Sequence, residues 1–239
     1  MRIALIGYGK MGQAIEKIAL SKGHEIVLKI NIDNTADFTP EAIKAADVAI
    51  EFTGPETAFD NIMQCIESGT PVVSGSTGWL DRIKEVEDAV RAQDGAFLYS
   101  SNYSIGVNLF FEVNTYLAKL MEDYPDYDVR MEEIHHTQKK DAPSGTAISL
   151  ASQVLSQLSR KKTWVNKPAG GAEELSIISK RIDPAPGTHV VTYTSDIDDI
   201  EIKHTAHNRR GFASGAVLAA EFLSGRKGVF SMRDVLFGG

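Results

Sequence analysis

The chain opens, after Met1, with Arg2-Ile3-Ala4-Leu5-Ile6-Gly7-Tyr8-Gly9-Lys10-Met11-Gly12. An apolar run of strand length ends in three glycines spaced G-x-G-x-x-G, and the stretch to Gly23 carries apolar residues at helical spacing. In a strand-turn-helix unit the first glycine permits the tight turn and the second lets the backbone approach a ligand. The third lets helix and strand pack closely. The free N–H groups and positive dipole end at the helix start suit phosphate. Gly7, Tyr8, Gly9, Lys10, Met11 and Gly12 are therefore candidate dinucleotide contacts. Asp33, placed at the end of the second strand, suits a hydrogen bond to a ribose hydroxyl. Its carboxylate would repel a 2′-phosphate, so NADH is expected over NADPH.

From Arg2 to Ser100 further apolar runs alternate with amphipathic stretches, the pattern of a parallel sheet covered by helices on both faces. The connection from Ile30 to Asp47 is brief. Beyond Ser101 the rhythm changes. A helix is predicted over 105–121, a strand over 127–135 and a helix from Ser144. Three strand-like runs follow, at 175–182, 189–195 and 200–207, with no long helix between them, which predicts an α+β unit with a mostly antiparallel sheet. Residues 161–174 read as a mobile loop. The expected domains are 1–103 for the dinucleotide, completed by 212–239, and 104–211 for substrate and oligomerisation.

With 239 residues and 43% hydrophobic content the chain is long enough to bury a core without staples. A formal net charge of −7 disfavours nucleic acid and anionic membranes as partners. The single cysteine, Cys65, excludes an intrachain disulfide. The apolar run before Gly7 is too short for a signal-peptide core or a membrane span, so a cytoplasmic location is expected. His204 and His207 lie three apart on a predicted strand, without the spacing of a metal motif, and no protein metal is expected. Ser144 lacks the G-x-S-x-G context of a hydrolase nucleophile.

Later motifs carry more specific chemistry. Gly75-Ser76-Thr77-Gly78-Trp79 follows the fourth strand, and Ser100-Ser101-Asn102-Tyr103-Ser104 follows the fifth. These are the strand ends at which α/β sheets bind ligands. Glu133-Ile134-His135-His136-Thr137-Gln138-Lys139-Lys140-Asp141-Ala142-Pro143-Ser144-Gly145-Thr146-Ala147 ends a strand and starts a helix. A carboxylate would sit well on the N–H groups of that helix start, beside the Thr146 hydroxyl, with Pro143 near the first helical position. On a regular strand His135 and His136 point to opposite sides.

Taken together, and with Arg209-x-x-Phe212-Ala213-x-Gly215-Ala216 downstream, these runs resemble the 4-hydroxy-tetrahydrodipicolinate reductase family over nearly the whole chain. The resemblance implies a two-domain reductase in which NADH or NADPH and a small cyclic dicarboxylate are brought together by closure. It implies that His135 is the acid, and that Lys139 stabilises charge and assists protonation. It further implies that His136, Ser144, Gly145 and Thr146 hold substrate. Gly75, Ser76, Thr77, Ser101, Asn102, Tyr103 and Arg209 would contact coenzyme, and the assembly would be a homotetramer. The chain departs from many members in a glycine loop one residue shorter, no long insertion after Asp33, and Asp in place of Glu with no adjacent Arg. Two other readings are an amino-acid-type dehydrogenase, such as an aspartate dehydrogenase, and a non-catalytic NAD(P)H-binding redox sensor.

Overall fold

The computed structural model describes residues 1–208 and 210–238, so the expectation for Arg209 lies outside the described residues. The chain divides into two compact units, 1–105 with 210–239, and 106–209.

The first unit begins with β1 (Arg2–Ile6), α1 (Lys10–Ser21), β2 (Glu25–Ile30), a 3₁₀ turn at Thr35–Asp37 and α2 (Pro40–Lys44). It continues through β3 (Val48–Glu51), α3 (Ala58–Glu67), β4 (Val72–Ser74), α4 (Ile83–Ala92) and β5 (Ala96–Tyr99). Thr39 caps α2, its hydroxyl accepting from the Ala42 N–H at 3.3 Å. This explains why a short, proline-started helix forms in the brief connection. β2 ends at Ile30, so Asp33 lies in the turn beyond the strand rather than at its end, and it is exposed.

The second unit holds α5 (Ile105–Met121), which starts at the divide, then β6 (Asp128–His135), α6 (Gly145–Gln157), β7 (Thr163–Val165), β8 (Glu174–Arg181), β9 (Thr188–Thr194) and β10 (Asp199–Thr205). Its sheet runs β10-β9-β6-β8-β7. The pairs β9–β10 and β6–β9 are antiparallel. The pairs β6–β8 and β7–β8 are parallel. The strands β8 and β9 follow each other in the chain yet do not pair, because β6 sits between them. α6 is the crossover that lets β8 run parallel to β6. Part of the predicted loop at 161–174 is the edge strand β7, whose three residues are too few to show a period.

The chain then returns through α7 (Arg210–Leu223), β11 (Gly228–Ser231) and α8 (Met232–Phe237). β11 pairs with β5, and the first unit's sheet is parallel throughout in the order β11-β5-β4-β3-β1-β2. Inner strands are buried on both faces, which is why β1, β3 and β4 read as unbroken apolar runs. Alternate residues serve opposite cores: Ile3, Leu5 and Ile50 with Ile15 and Ala219 on one face, and Ile6, Ala49 and Phe97 with Ile62 and Val86 on the other. The crevice between β1 and β3, where the order reverses, is the topological switch point of this sheet. Among the described residues no helix is long and apolar enough to cross a membrane.

The small residues of α7 have a steric purpose. A Cβ on Gly215 would stand 1.7 Å from the Tyr103 carbonyl oxygen. Gly215→Ala must therefore push helix from loop. We expect a loss of about 1–3 kcal/mol in unfolding free energy, the scale of overpacking with a backbone shift, read by chemical denaturation. A change below about 0.5 kcal/mol would refute this packing account.

Candidate active site

Strand alternation sets the second unit's polar centre. On β6 the buried positions are Val129, Met131, Glu133 and His135, so the period that turns His135 inward brings Glu133 with it. The flanking strands supply partners: His189 on β9 stands opposite Glu133, and Arg181 on β8 stands opposite His135. The Glu133 carboxylate is sealed from water and accepts from the Ser144 N–H at 3.1 Å and from Arg181 Nη2 at 3.1 Å. His135 Nδ1 lies 3.2 Å from Glu133 Oε2, close but not aligned as a hydrogen bond. The rings of His135 and His189 meet edge-on at 5.2 Å. Burial alone would raise the Glu133 carboxyl. The donors and charges of His135, Ser144, Ser179 and Arg181 outweigh it and hold the group far below the usual carboxylate range.

Ser144 is the N-cap of α6, its hydroxyl accepting from the Ala147 N–H at 3.2 Å and lying 3.0 Å from His189 Nε2. That hydroxyl serves the fold as a helix cap. Pro143 precedes the cap and is not the first helical residue. Gly145 is exposed, and a Cβ there would meet nothing within 4 Å, so its backbone is open to an incoming group beside Thr146. Lys139 is half-buried with its ammonium 2.8 Å from Asp141. Arg181 binds the carbonyl oxygens of Lys139 and Asp141, stapling this loop to Glu133. His136 is half-buried just beyond β6, and its carbonyl accepts from the Lys139 N–H. Gly187 gives His135 its room, since a Cβ there would lie 3.1 Å from His135 Nε2.

Sequence reasoning missed Glu133, Arg181, Gly187 and His189. The alternation of β6 was the available signal for Glu133, whereas the others are recruited by strand order. Glu133, His135 and His189 each place one ligand atom within 4.8 Å of the others, a spacing that a cation could span. The Arg181 guanidinium already supplies positive charge there. His207 lies beyond β10 and His204 packs on Phe110 with ring centroids 6.0 Å apart. Neither belongs to that trio.

In the first unit the glycine loop fits a dinucleotide. Gly7 has φ +98° and a Cβ there would lie 2.0 Å from the Phe52 carbonyl oxygen; a Cβ on Gly12 would lie 2.4 Å from the Gly7 oxygen. Gly9 differs, since a Cβ would meet nothing within 4 Å. Its bareness leaves the backbone open at the start of α1, which has neither a side-chain cap nor an acidic residue in its first turn. Unclaimed N–H groups at such a terminus are what a pyrophosphate needs. Around them, Tyr8 hydrogen-bonds Glu16 and lies under the Lys29 ammonium, while Lys10 is exposed and Met11 half-buried.

The other loops are less simple than their sequence suggested. Gly75 and Thr77 lie at the surface end of β4, but Ser76 is buried with its hydroxyl donated to Glu51 at 2.7 Å. Ser101 is exposed, and Asn102 accepts from the Ser104 N–H. Tyr103 is a core residue, its phenol donating to the Ser74 carbonyl at 2.6 Å. Its side chain and that of Ser76 therefore shape these loops from within. Asn34, next to Asp33, organises its turn through bonds to Lys29 and Asp37.

Known proteins match both parts. A model described as Dihydrodipicolinate reductase, N-terminus, covers residues 1–103, and Dihydrodipicolinate reductase, C-terminus, covers 106–236. The 4-hydroxy-tetrahydrodipicolinate reductase of Christiangramia forsetii is 51% identical over 237 residues, 99% of this chain and 98% of that one. That of Methanosarcina mazei is 36% identical over 98% of this chain and 88% of its own. A dipicolinate-bound dihydrodipicolinate reductase from Paenisporosarcina sp. TG-14 shares the fold, with a TM-score of 0.79 at 22% identity over 99% of each chain.

The buried histidine gives the fold a pH signature. Burial first, then the neighbouring His135, pull His189 down to about 4, so it stays neutral in the folded protein while the unfolded chain protonates near 6.5. The unfolded state then binds more protons across this window, and stability is lost as pH falls from 6.5 towards 4. Between pH 7.5 and pH 5 we expect a loss of about 2 kcal/mol from this group. Glu133 adds its own loss as pH falls through the ordinary carboxyl range and below it. Denaturation curves of His189→Gln should show a correspondingly shallower pH dependence, and an unchanged slope would remove His189 as its source.

Proposed function

Because the chain belongs to the dihydrodipicolinate reductase family over both of its parts, we propose that it reduces 4-hydroxy-tetrahydrodipicolinate with NADH or NADPH. The reaction consumes one proton and yields tetrahydrodipicolinate, NAD(P)⁺ and water, a step of the diaminopimelate and lysine route. The chain is an oxidoreductase of the NAD(P)H-dependent kind. The observation that carries the reading is the run from Glu133 to Ala147, which sets an acid pair beside an open helix start.

A dihydronicotinamide held at the carboxyl edge of the first unit's sheet supplies the hydride. The chain's own residues do the remaining work. Gly145 offers its backbone N–H, with Thr146 beside it, at the start of α6, where the helix field favours a substrate carboxylate. Lys139 adds a cation on exchanging its Asp141 partner for substrate. His135 donates a proton from Nε2, the nitrogen that Gly187 leaves uncrowded, to the substrate nitrogen. Glu133, beside Nδ1, stabilises the imidazolium before transfer and orients the ring. Ser144 holds the α6 start and His136 flanks it. In the first unit Gly7 to Gly12 cradle the pyrophosphate. Asp33 meets the ribose and favours NADH, and the Gly75–Thr77 and Ser101–Tyr103 loops border the nicotinamide half. The reading extends to a homotetramer, with β10 as an open sheet edge on which copies can meet.

The test is nicotinamide absorbance in a coupled assay, with the unstable substrate generated from pyruvate and aspartate semialdehyde by its synthase. Oxidation that needs both the synthase and this protein is the expected result, faster with NADH than with NADPH. Consumption of neither coenzyme while NADH still binds would instead support the redox sensor. In the same assay His135→Gln should lower turnover by about 10²–10⁴-fold with NADH affinity nearly unchanged. A wild-type rate would move the acid role to Lys139 or water. Light scattering should give about four times the 26.1 kDa chain mass, and a monomer or dimer would refute the tetramer.

A further inference from the structure

The last residue of β3, Glu51, is fully buried and stands next to the switch point. Its carboxylate accepts four hydrogen bonds: from the Thr53 N–H at 2.8 Å, and from the hydroxyls of Thr53 at 2.5 Å, Ser76 at 2.7 Å and Ser74 at 2.6 Å. For two of the hydroxyls the direction follows from what stands behind them: that of Thr53 accepts from Asn61 and Thr57, and that of Ser76 accepts from the Thr53 N–H it shares with Glu51, so both turn their protons to Glu51. Three of these donors converge on Oε1 and one meets Oε2, a donor set that an ionised carboxylate accepts. Among the described residues Glu51 has no ion pair with Lys, Arg or His, in contrast to Glu133, which has Arg181.

A tether between the β3 and β4 loops needs only hydrogen bonds, which a neutral side chain could make without the cost of burying an unpaired charge. Of the two loops, Gly75–Thr77 is assigned above to the nicotinamide half, and Phe52, before the other, backs the glycine turn. Reduced nicotinamide is neutral and oxidised nicotinamide carries a positive charge. We propose that Glu51 is a positioning residue whose uncompensated charge makes the coenzyme site bind the oxidised form more tightly than hydrogen bonding alone would, easing departure of the hydride. This rests on the coenzyme binding at the carboxyl edge of the first unit's sheet, as proposed above.

Isothermal calorimetry with NADH and NAD⁺, and with NADPH and NADP⁺, tests it on the intact protein without substrate. In Glu51→Gln the amide oxygen can keep the Thr53 and Ser76 bonds, and the amide NH₂ can donate to a turned Ser74 hydroxyl. The ratio of oxidised to reduced Kd should rise about five- to tenfold, with the reduced form bound within about twofold of wild type. Ser74→Ala removes one neutralising donor and should shift the ratio about twofold the opposite way, which also provides a reading if Glu51→Gln fails to fold. Equal loss of both forms in Glu51→Gln, or a ratio in Ser74→Ala that stays fixed or rises, would make Glu51 a mere clamp and overturn the proposal while leaving the coenzyme site in place. Wild-type protein that binds none of the four coenzymes would overturn the site and the proposal together.

Discussion

A carboxylate taken out of water must be saturated with donors, and each unit hangs its functional loops on one such group. Glu133 draws in the α6 start through the Ser144 N–H and the 139–141 loop through Arg181, with His135 and His189 standing against it. Glu51 draws in Thr53, Ser74 and Ser76 from the ends of two parallel strands. In both cases the desolvation cost enforces geometry, because a missing donor would leave buried charge exposed to nothing. The loops that would carry substrate and coenzyme inherit their positions from these two anchors.

The anchors differ in sign balance, and the difference suits their tasks. Glu133 is compensated by Arg181 and sits beside a histidine, so it can support a transient imidazolium without remaining a bare anion. Glu51 has hydroxyl and amide donors only. On the proposed reading one arrangement would handle a proton, while the other would leave a standing field. Electrostatic preorganisation of this kind acts at no reorganisation cost when charge develops.

Much of this was legible in the chain because the signals are local and periodic. Continuous apolar runs announced β1, β3 and β4 since both faces of a parallel sheet are covered, and the start of α6 was placed near Ser144 by the Pro143-Ser144-Gly145-Thr146 run. The edge strand β7 was not legible, since three residues cannot display an alternation. Ser76 and Tyr103 read as ligand contacts because serine and tyrosine in a loop at a strand end look alike whether they face out or in. Packing decided that both turn inward.

The sequence by itself determined the dinucleotide turn, the alternation of strands and helices, and the run from His135 to Thr146, because each depends on residues within one or two turns of chain. It could also have yielded Glu133, which shares the inward face of β6 with His135. Only the tertiary structure decided that Arg181 and His189 join that face, since they arrive on strands about fifty residues downstream whose order β9-β6-β8 does not follow the chain. The same holds for Glu51, whose donors come from two strand ends brought into register by the sheet. Backbone periodicity is encoded locally, whereas the company a buried charge keeps is set by which strands become neighbours.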